Sequence, residues 1–292
     1  CMLTVMTFIK LISRTLLFFF LLNLMTMGCN QTPIPPTATP VPTVTLTPTP
    51  VPTLLPTLET ILDTGWHLLH PGLERRSINI FDDQNQQVEA LYLLRLDPNQ
   101  FRLDVAYHTT PQNLEDWQKE TNALVVVNGG YFRIENEKYI PNGLTIVDGE
   151  IFGSSYGSFG GMLAVRDYGT ELRWLEERPY NPYEQLRAAL QSFPVLVKPG
   201  GELGFPAQYE DNLKARRTVI GQDRNGQILF VVAPRGYFTL HQLSAYLTGS
   251  DLNLNIALNL DGGPSSGIWL AQPREIIPSQ TLLPIVILAY PR

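Results

Sequence analysis

The sequence predicts an α+β fold in which a mixed, largely antiparallel sheet packs with a few helices in a single domain. Many short segments alternate apolar and polar residues, as half-buried strands do, and clusters of Asn, Asp, Gly and Pro separate them. Few segments combine a capping residue with a helical spacing of apolar residues. Because the strand segments mostly follow one another along the chain, we expect neighbouring strands to pair antiparallel.

The first residues of the sequence are typical of an export signal. Lys10 and Arg14 precede an uncharged apolar run over residues 15–27, which is shorter than a membrane-spanning helix requires. The glycine and Cys29 that follow resemble the lipobox of bacterial lipoproteins. We therefore interpret residues 1–29 as a signal peptide and Cys29 as a lipidation site that anchors the protein to a membrane of the cell envelope. Ordinary signal-peptide cleavage, which would give a secreted protein, is the alternative.

The next segment, residues 30–60, is dominated by Pro and Thr and is predicted to be a spacer. In an extended polyproline II conformation, at about 3.1 Å per residue, it would reach on the order of 90 Å. Such a spacer would hold the following domain clear of a membrane surface.

Composition indicates that residues 61–292 form a globular domain. The full chain is 44% hydrophobic and 16% charged, as folded proteins are. Residues 61–292 contain no cysteine, so a hydrophobic core must stabilise them without disulfides. The net charge of -6 and the lack of basic runs argue against nucleic acid as a partner.

The elements of this domain are predicted from apolar patterns, caps and turns. Strands are predicted at residues 77–81, 88–96, 101–107, 123–127, 144–147, 150–152, 161–166, 171–175, 194–197, 216–221, 228–233, 256–260, 268–270 and 284–290. Helices are predicted at residues 114–121, 182–190 and 240–247. Asn113 caps the first helix, and Thr239 forms a capping box with Gln242 on the last. Asp148 and residues 224–226 are predicted to form hairpin turns.

One carboxylate stands at the end of a predicted buried strand. The apolar run over residues 256–260 leads into Asp261, Gly262 and Gly263, where missing side chains let the backbone turn tightly or let a ligand approach. A turn with Asp at its first position explains the same residues. The pattern therefore predicts either a simple turn or a site centred on Asp261.

Two other strand ends carry polar residues. The strand over residues 123–127 leads into Asn128, Gly129 and Gly130, and Arg217 lies where another strand begins. Asn128 is either a turn residue with positive φ or a side chain directed into a cleft. Arg217 is either a solvated strand end or a site residue. The local patterns alone leave both alternatives open.

A serine-hydrolase motif, G-x-S-x-G, also occurs, at residues 263–267 with Ser265 as its serine. That motif needs a helix directly after the serine and a histidine further downstream. Residues 268–270 are predicted to be a strand instead. All the histidines precede Ser265, namely His67, His70, His108 and His241. We therefore reject a serine hydrolase.

Four motifs occur together along the chain. They are Asn-Gly-Gly-Tyr-Phe at residues 128–132, Pro-Asn-Gly at 141–143 followed by Asp-Gly at 148–149, Arg-Thr-Val-Ile-Gly at 217–221, and Asn-Leu-Asp-Gly-Gly-Pro-Ser-Ser at 259–266. In these motifs and their order, the chain from about residue 90 onward resembles the phosphodiester glycosidase family. That family has bacterial members and includes enzymes that remove N-acetylglucosamine from sugar phosphodiesters. It often has Asp-Gly-Arg where this chain has Ala-Pro-Arg at 233–235, and Gly where this chain has Pro264.

The resemblance implies a hydrolase that cleaves the C1–O bond of a sugar-1-phosphodiester. Asp261 is the expected nucleophile or base, because the oxocarbenium-like transition state needs a carboxylate beside C1. Arg217, with Arg235 as second candidate, is expected to neutralise the phosphate through its planar fork. A phosphate monoester leaves more readily than a sugar alkoxide, so this neutralisation can replace much of the proton transfer. Asn128 and Ser265 are expected to position sugar hydroxyls or phosphate.

The expected site combines these residues with their neighbours. The expected catalytic residues are Asp261, Arg217 and Asn128. The expected substrate-binding residues are Gly129, Gly130, Arg235, Asn259, Gly262, Gly263 and Ser265. A second catalytic acid is left open among Asp148, Asp211 and Asp251.

The expected partners are a sugar-phosphate or glycan substrate, such as an N-acetylglucosamine-like sugar on a wall polymer, and the membrane through the lipid anchor. We expect no cofactor, although Asp261 with backbone carbonyls could hold a hard divalent cation. Two alternatives to the phosphodiester reaction stay open. One is a glycan-binding module of the same fold without turnover, and the other is a glycosidase that acts on glycans without phosphate.

The anchor can be tested directly. Cys29→Ser is expected to release the protein from the membrane fraction of its native host, because the substitution removes the acylation site. Fractionation, with mass spectrometry for an acyl group on Cys29, measures this. Recovery of the unaltered protein in the soluble fraction without acylated Cys29 would contradict the prediction.

Overall fold

Antiparallel strands make up most of the fold in the computed structural model, which describes residues 62–292. The strands are β1 His67–His70, β2 Leu73–Phe81, β3 Gln87–Leu96, β4 Phe101–Gln112, β5 Val125–Asn128, β6 Phe132–Glu135, β7 Lys138–Pro141, β8 Thr145–Val147, β9 Glu150–Phe152, β10 Gly161–Arg166, β11 Gly169–Trp174, β12 Ala188–Ser192, β13 Val195–Lys198, β14 Glu202–Leu203, β15 Arg217–Asp223, β16 Ile228–Ala233, β17 Leu254–Asn259, β18 Ile268–Leu270, β19 Glu275–Ile277 and β20 Leu283–Pro291. The helices are α1 Leu114–Thr121 and α2 Leu240–Gly249, with single 3-10 turns at Ala207–Tyr209 and Gly263–Ser265.

The strands form three larger sheets and one hairpin. The first sheet has the order β1-β2-β3-β16-β15-β17-β13-β14, the second β11-β10-β12-β8-β9, and the third β19-β18-β5-β20-β4, while β6 pairs with β7. The predicted largely antiparallel architecture with few helices is confirmed. Helices contribute less than an α+β class implies, so the described part of the chain is predominantly β.

The predicted signal peptide, Cys29 and the spacer lie outside the described residues. Residues 62–292 fall within one compact unit, and the predicted domain limits and single-domain organisation stay predictions. Neither α1 nor α2, the helices of this described part, is long and apolar enough to cross a membrane.

The helix predicted at residues 182–190 is wrong. Its last residues belong to β12, which lies between β10 and β8 in the second sheet and is buried along its whole length. The Leu-Arg-Ala-Ala-Leu sequence at residues 186–190 has a high helix propensity, but a central position in a sheet overrides that weak preference.

Both other helices begin where their capping residues predict. The Asn113 side chain accepts a hydrogen bond from the Asp116 N–H at the start of α1. Thr239 and Gln242 form the capping box of α2. The predicted turn at Asp148 is also confirmed, because this residue has a φ of 48° between β8 and β9.

The main hydrophobic core joins all three larger sheets. Phe230 enters it from the first sheet, Leu163 from the second and Ile287 from the third. The opposite face of the first sheet packs against α2, and that of the third sheet against α1. The ends of β17 and β5 and the start of β15 therefore meet at one edge of the core, where the motif residues lie.

Candidate active site

Asp261 lies two residues beyond the end of the buried strand β17, where the first and third sheets meet. Its backbone N–H donates to the Gly129 carbonyl, 3.1 Å away, at the end of β5. The preceding residue, Leu260, donates its N–H to the Thr218 carbonyl of β15 at 2.8 Å. The predicted convergence of the loops around Asp261, Asn128 and Arg217 therefore rests on backbone hydrogen bonds between β17, β5 and β15.

Asn128 supports this junction from behind. Its side-chain N–H donates to the Asp261 carbonyl at 2.7 Å, and its Oδ1 accepts from the Thr218 hydroxyl at 2.7 Å and the Gly267 N–H at 3.0 Å. The side chain is fully buried and belongs to a strand without positive φ. Its amide is therefore committed to the protein, so it holds the Asp261 loop instead of contacting a substrate.

The Asp261 carboxyl group is held in a low-polarity position. Burial raises its pKa to about 6, against hydrogen bonds from the Ser265 side chain and the Gly262 N–H, which lower it. Ser265 lies in the 3-10 turn that follows, and Gly263 enters this turn with a φ of 58°, a left-handed conformation that suits glycine. Ser265 thus orients the carboxylate, and Asp261 remains mostly ionised at neutral pH.

Arg217 is a buried cation at the start of β15, with 7% of its surface exposed. Its Nη2 donates to the Leu213 carbonyl at 2.6 Å and its Nε to the Phe238 carbonyl at 3.3 Å. No carboxylate of residues 62–292 forms an ion pair with it, and burial lowers its pKa. A Cβ on Gly262 would lie 3.9 Å from Nη1, so the glycine keeps space beside this nitrogen.

Both charges, Asp261 and Arg217, act on the Tyr131 hydroxyl. The pKa of its hydroxyl is raised, first by burial and then by the Asp261 carboxylate, while Arg217 lowers it. One hydroxyl is therefore within electrostatic reach of both groups. Tyr131 belongs to the motif that begins at Asn128, but its sequence pattern alone did not predict it as a site residue.

Asn259 fixes Tyr131 and is not a substrate-binding residue. It is fully buried, and its side-chain N–H group donates to the Tyr131 hydroxyl and to the Leu260 carbonyl, both at 2.7 Å. The Tyr131 hydroxyl in turn donates to the Phe193 carbonyl at 2.8 Å. The expectation that Asn259 contacts substrate is corrected, because no part of its side chain is accessible.

Gly129 and Gly130 are also explained by packing. A Cβ on Gly129 would lie 2.7 Å from Ile285 Cγ2, and one on Gly130 would lie 3.0 Å from Leu190 Cδ1. Both glycines are buried. They let β5 leave the third sheet against its neighbours, so packing accounts for both glycines, and their contact with a substrate stays a prediction.

Arg235 does not join Arg217. Its guanidinium donates to the backbone and side-chain oxygens of Gln87, at 3.1 and 3.3 Å. Gln87 lies in β3, and β3 and β15 flank β16 on opposite sides. The expectation that Arg235 binds the same phosphate is therefore corrected.

Of the three candidates for a second acid, Asp211 is the one whose charge acts on Arg217. Asp148 occupies a hairpin turn, and the Asp251 carboxylate pairs with Arg76 at 2.9 Å. The charge of Asp211 acts on Arg217 and raises its pKa against the effect of burial.

Ser265 lacks the surroundings of a hydrolase nucleophile. The strand β18 follows it without an intervening α-helix, and none of the four histidines, all within residues 62–292, hydrogen-bonds to it. This same part of the chain contains no group of three His, Cys, Asp or Glu side chains that could hold a metal ion.

Comparisons with known proteins agree with this arrangement. The phosphodiester glycosidase family model matches residues 121–282. The N-acetylglucosamine-1-phosphodiester alpha-N-acetylglucosaminidase of Mus musculus is 27% identical over 175 residues, which cover 52% of this chain. The match covers 33% of the mouse protein, so the chain corresponds to about a third of that relative's length.

Two solved structures share the fold. The catalytic domain of the zebrafish N-acetylglucosamine-1-phosphodiester alpha-N-acetylglucosaminidase, auto-inhibited by its pro-peptide, matches with a TM-score of 0.60 and 21% identity, over 77% of this chain and 86% of that chain. A hypothetical protein from Synechocystis matches with a TM-score of 0.57 and 14% identity, over 76% and 62% of the two chains.

The Asp261 carboxylate should cost stability at neutral pH. Its pKa of about 6 in the folded protein exceeds its ordinary value of 3.8, so the folded state binds more protons between these values. The free energy of unfolding therefore falls as the pH rises through this window. Asp261→Asn is expected to raise the free energy of unfolding at pH 7 by up to about 3 kcal/mol, with little effect near pH 3. Urea unfolding at both pH values measures the difference.

The matched control for this measurement is Asp83→Asn, which removes an exposed carboxylate from the turn between β2 and β3. It is expected to leave the pH dependence unchanged. Equal destabilisation by Asp261→Asn at both pH values would show that the charge carries no such cost.

Proposed function

The chain belongs to the phosphodiester glycosidase family, and on that premise we propose that it hydrolyses the C1–O bond of a sugar-1-phosphodiester. The observation that carries the proposal is the buried guanidinium of Arg217, which forms no ion pair with a described carboxylate and lies against the Gly262 backbone next to the half-buried Asp261. Burying a charge without a partner is costly, and such groups occur mainly at functional sites.

Arg217 is suited to bind the phosphodiester. Two of its nitrogens donate to backbone carbonyls, which fix the plane of the guanidinium, and Nη1 makes no hydrogen bond to the described residues. An anionic phosphate oxygen would supply the charge that this buried cation lacks. As negative charge grows on the leaving phosphate, the attraction to Arg217 strengthens, so it favours the transition state over the bound substrate.

Asp261 is proposed to act at C1 as nucleophile or base. A carboxylate with a pKa of about 6 is largely ionised at pH 7, yet it is more basic than an exposed aspartate. As a nucleophile it would form a glycosyl-enzyme that water then hydrolyses, and as a base it would take a proton from the attacking water. Both routes release the sugar and a phosphate monoester.

The leaving group needs less help than in ordinary glycosidases. A phosphate monoester departs as an anion that Arg217 can neutralise, so a strong general acid is not required. Asp211 is the second carboxylate that we place at the site, because its charge acts on Arg217. Tyr131, on which both charges act, is proposed to accept a hydrogen bond from a sugar hydroxyl, because its own hydrogen is donated to the Phe193 carbonyl.

The substrate is proposed to carry an N-acetylglucosamine-like sugar on a glycan or wall polymer. The support for this choice is the name of the mouse relative, an N-acetylglucosamine-1-phosphodiester alpha-N-acetylglucosaminidase. We further propose that the protein is exported and lipid-anchored through Cys29, on the basis of its signal-like first residues and its Pro/Thr spacer.

The pH dependence of turnover tests the role of Asp261. With a sugar-1-phosphodiester, kcat/KM is expected to fall about tenfold per pH unit below about pH 6, because protonation removes the nucleophile or base. Asp261→Asn should lower kcat by about a thousandfold or more while the protein stays folded. Activity that disappears above pH 6 would make Asp261 an acid and contradict the assignment.

Arg217→Lys separates phosphate recognition from sugar recognition. Lysine keeps the charge but loses the planar fork, so kcat/KM for the phosphodiester is expected to fall roughly ten- to hundredfold. An activated aryl glycoside of the same sugar, which lacks phosphate, should be cleaved as by the unaltered protein.

Arg235→Lys is the matched control for this comparison, because that guanidinium lies on Gln87 outside the site, and it should affect neither substrate. Equal losses on both substrates with Arg217→Lys would refute phosphate binding by this residue. Cleavage of aryl glycosides alone by the unaltered protein would identify an ordinary glycosidase.

A further inference from the structure

A buried carboxylate lies outside the group of residues that the proposed function uses. Glu89, in β3, is fully buried, and no lysine or arginine in the described part of the chain forms an ion pair with it. Its Oε1 accepts from the Arg235 N–H at 3.0 Å and the Ala90 N–H at 2.9 Å. Its Oε2 accepts from the Tyr237 N–H at 3.2 Å. Burying a charge without an ion pair is costly, so this carboxylate calls for an explanation.

Glu89 is the anion that a backbone loop requires. Residues 234–238, which we call the 234–238 loop, lead from β16 to α2. Within it, Gly236 has a φ of 77°, a left-handed conformation that suits glycine. Such a turn can direct neighbouring N–H groups to one side, where they form a concavity that holds an anion. Glu89 fills this concavity, because it accepts from the N–H groups of the residues on both sides of Gly236.

The same loop holds the guanidinium of Arg217. The Phe238 carbonyl accepts from the Arg217 Nε and from the Ala215 N–H, both at 3.3 Å. The second carbonyl bonded to Arg217 belongs to Leu213, in a segment without helix or strand. The Phe238 carbonyl therefore helps to fix the plane of the guanidinium, and the residue before Phe238 is bonded to Glu89.

The link between Glu89 and Arg217 is geometric and not a charge effect. Burial lowers the pKa of Arg217, and the carboxylates that act against this effect are Asp211 and Glu210. The charge of Glu89 acts instead on Arg216, where burial lowers the pKa and Glu89 raises it. Replacing Glu89 should therefore change the orientation of the Arg217 guanidinium more than its charge.

We infer that Glu89 is a positioning residue for Arg217, and that it acts by holding the 234–238 loop and the Phe238 carbonyl in place. Glu89 is fully buried, so it touches no substrate. The consequence for turnover rests on the proposed function, in which Arg217 binds the phosphate. With Glu89 in place the planar fork keeps one orientation, and without it the fork fits phosphate oxygens less well.

The geometry can be tested without turnover, by NMR of arginine Nε–H groups in the full chain. The Arg217 signal is identified by its loss in Arg217→Lys. Glu89→Gln is expected to speed exchange of this Nε–H with water about tenfold or more. The glutamine amide has one acceptor oxygen and turns N–H donors toward the N–H groups of the 234–238 loop, so the loop loses its anion.

The matched control is Asp223→Asn. Asp223 is also a buried carboxylate, and it accepts from the Asn225 and Gln227 N–H groups, at 2.8 and 2.9 Å, at the opposite end of β15 from Arg217. This variant loses the same kind of interaction in the same sheet. It should leave exchange of the Arg217 Nε–H unchanged.

Turnover tests the consequence for phosphate recognition. Glu89→Gln is expected to lower kcat/KM for a sugar-1-phosphodiester about three- to tenfold, and to leave an activated aryl glycoside of the same sugar unaffected. In the Arg217→Lys background, Glu89→Gln should cause no further loss, because the fork that it positions is already gone. Gly236→Ala, which strains the same loop at its left-handed residue, should reproduce this pattern and serves if Glu89→Gln does not fold.

Unchanged exchange of the Arg217 Nε–H in Glu89→Gln and Gly236→Ala would overturn the inference and leave the proposed function standing. Equal losses on both substrates, or a further loss in the Arg217→Lys background, would also overturn it, because a purely structural role predicts them. If the unaltered protein cleaves no phosphodiester but Glu89→Gln speeds the exchange, the proposed function fails and the positioning role of Glu89 stands.

Discussion

The site depends on one buried amide. Asn128 joins β5 to the Asp261 carbonyl, to the Thr218 hydroxyl of β15 and to the Gly267 N–H beyond the 3-10 turn. These partners belong to separate parts of the chain, and all are in or beside the core, where an unpaired polar group costs about 1–3 kcal/mol. Loss of this amide would leave several such groups without partners at once. The relative position of the Asp261 loop and the strand that carries Arg217 is therefore a consequence of hydrogen-bond satisfaction in the core.

The Asp261 loop and the strand that carries Arg217, which Asn128 joins, bear two charges that form no ion pair with each other. If Asp261 and Arg217 formed an ion pair, each would neutralise the other, the pKa of Asp261 would fall and the guanidinium would be unavailable to an anion. In the structure, burial instead raises the pKa of Asp261, and the hydrogen bonds of Arg217 go to carbonyls. Tyr131, whose hydroxyl accepts a hydrogen bond from Asn259, is affected by both charges. The fold thus accepts a loss of stability that leaves a carboxylate and a guanidinium without an ion pair between them.

Sequence patterns predicted helices and strands well where a local signal, such as a capping residue or an apolar run, agrees with the way that segment packs in the core. The caps at Asn113 and Thr239 mark both helices, and the apolar runs mark most strands. The helix predicted at residues 182–190 failed because β12 is defined by its neighbours in the sheet, which the local sequence does not contain. The same limit applies to the site: the motifs located the junction, but they could not tell which polar side chains face outward. Asn128 and Asn259 are fully buried, and only the packing of three sheets decides that.

The motif residues are constrained more tightly than the loop residues that line the cavity of about 990 Å³ next to Phe193. The asparagines and glycines of the motifs are fixed by buried hydrogen bonds and by contacts that admit no Cβ, so a change there alters the frame of the reaction. That cavity is lined partly by loops around residues 155–160, 175–180 and 204–211, which carry none of the four motifs. On the proposed function, the junction of the sheets specifies the reaction type, and the loops that line this cavity set the range of substrates. Family membership can therefore predict the chemistry of this protein further than it can predict the group attached to the phosphate.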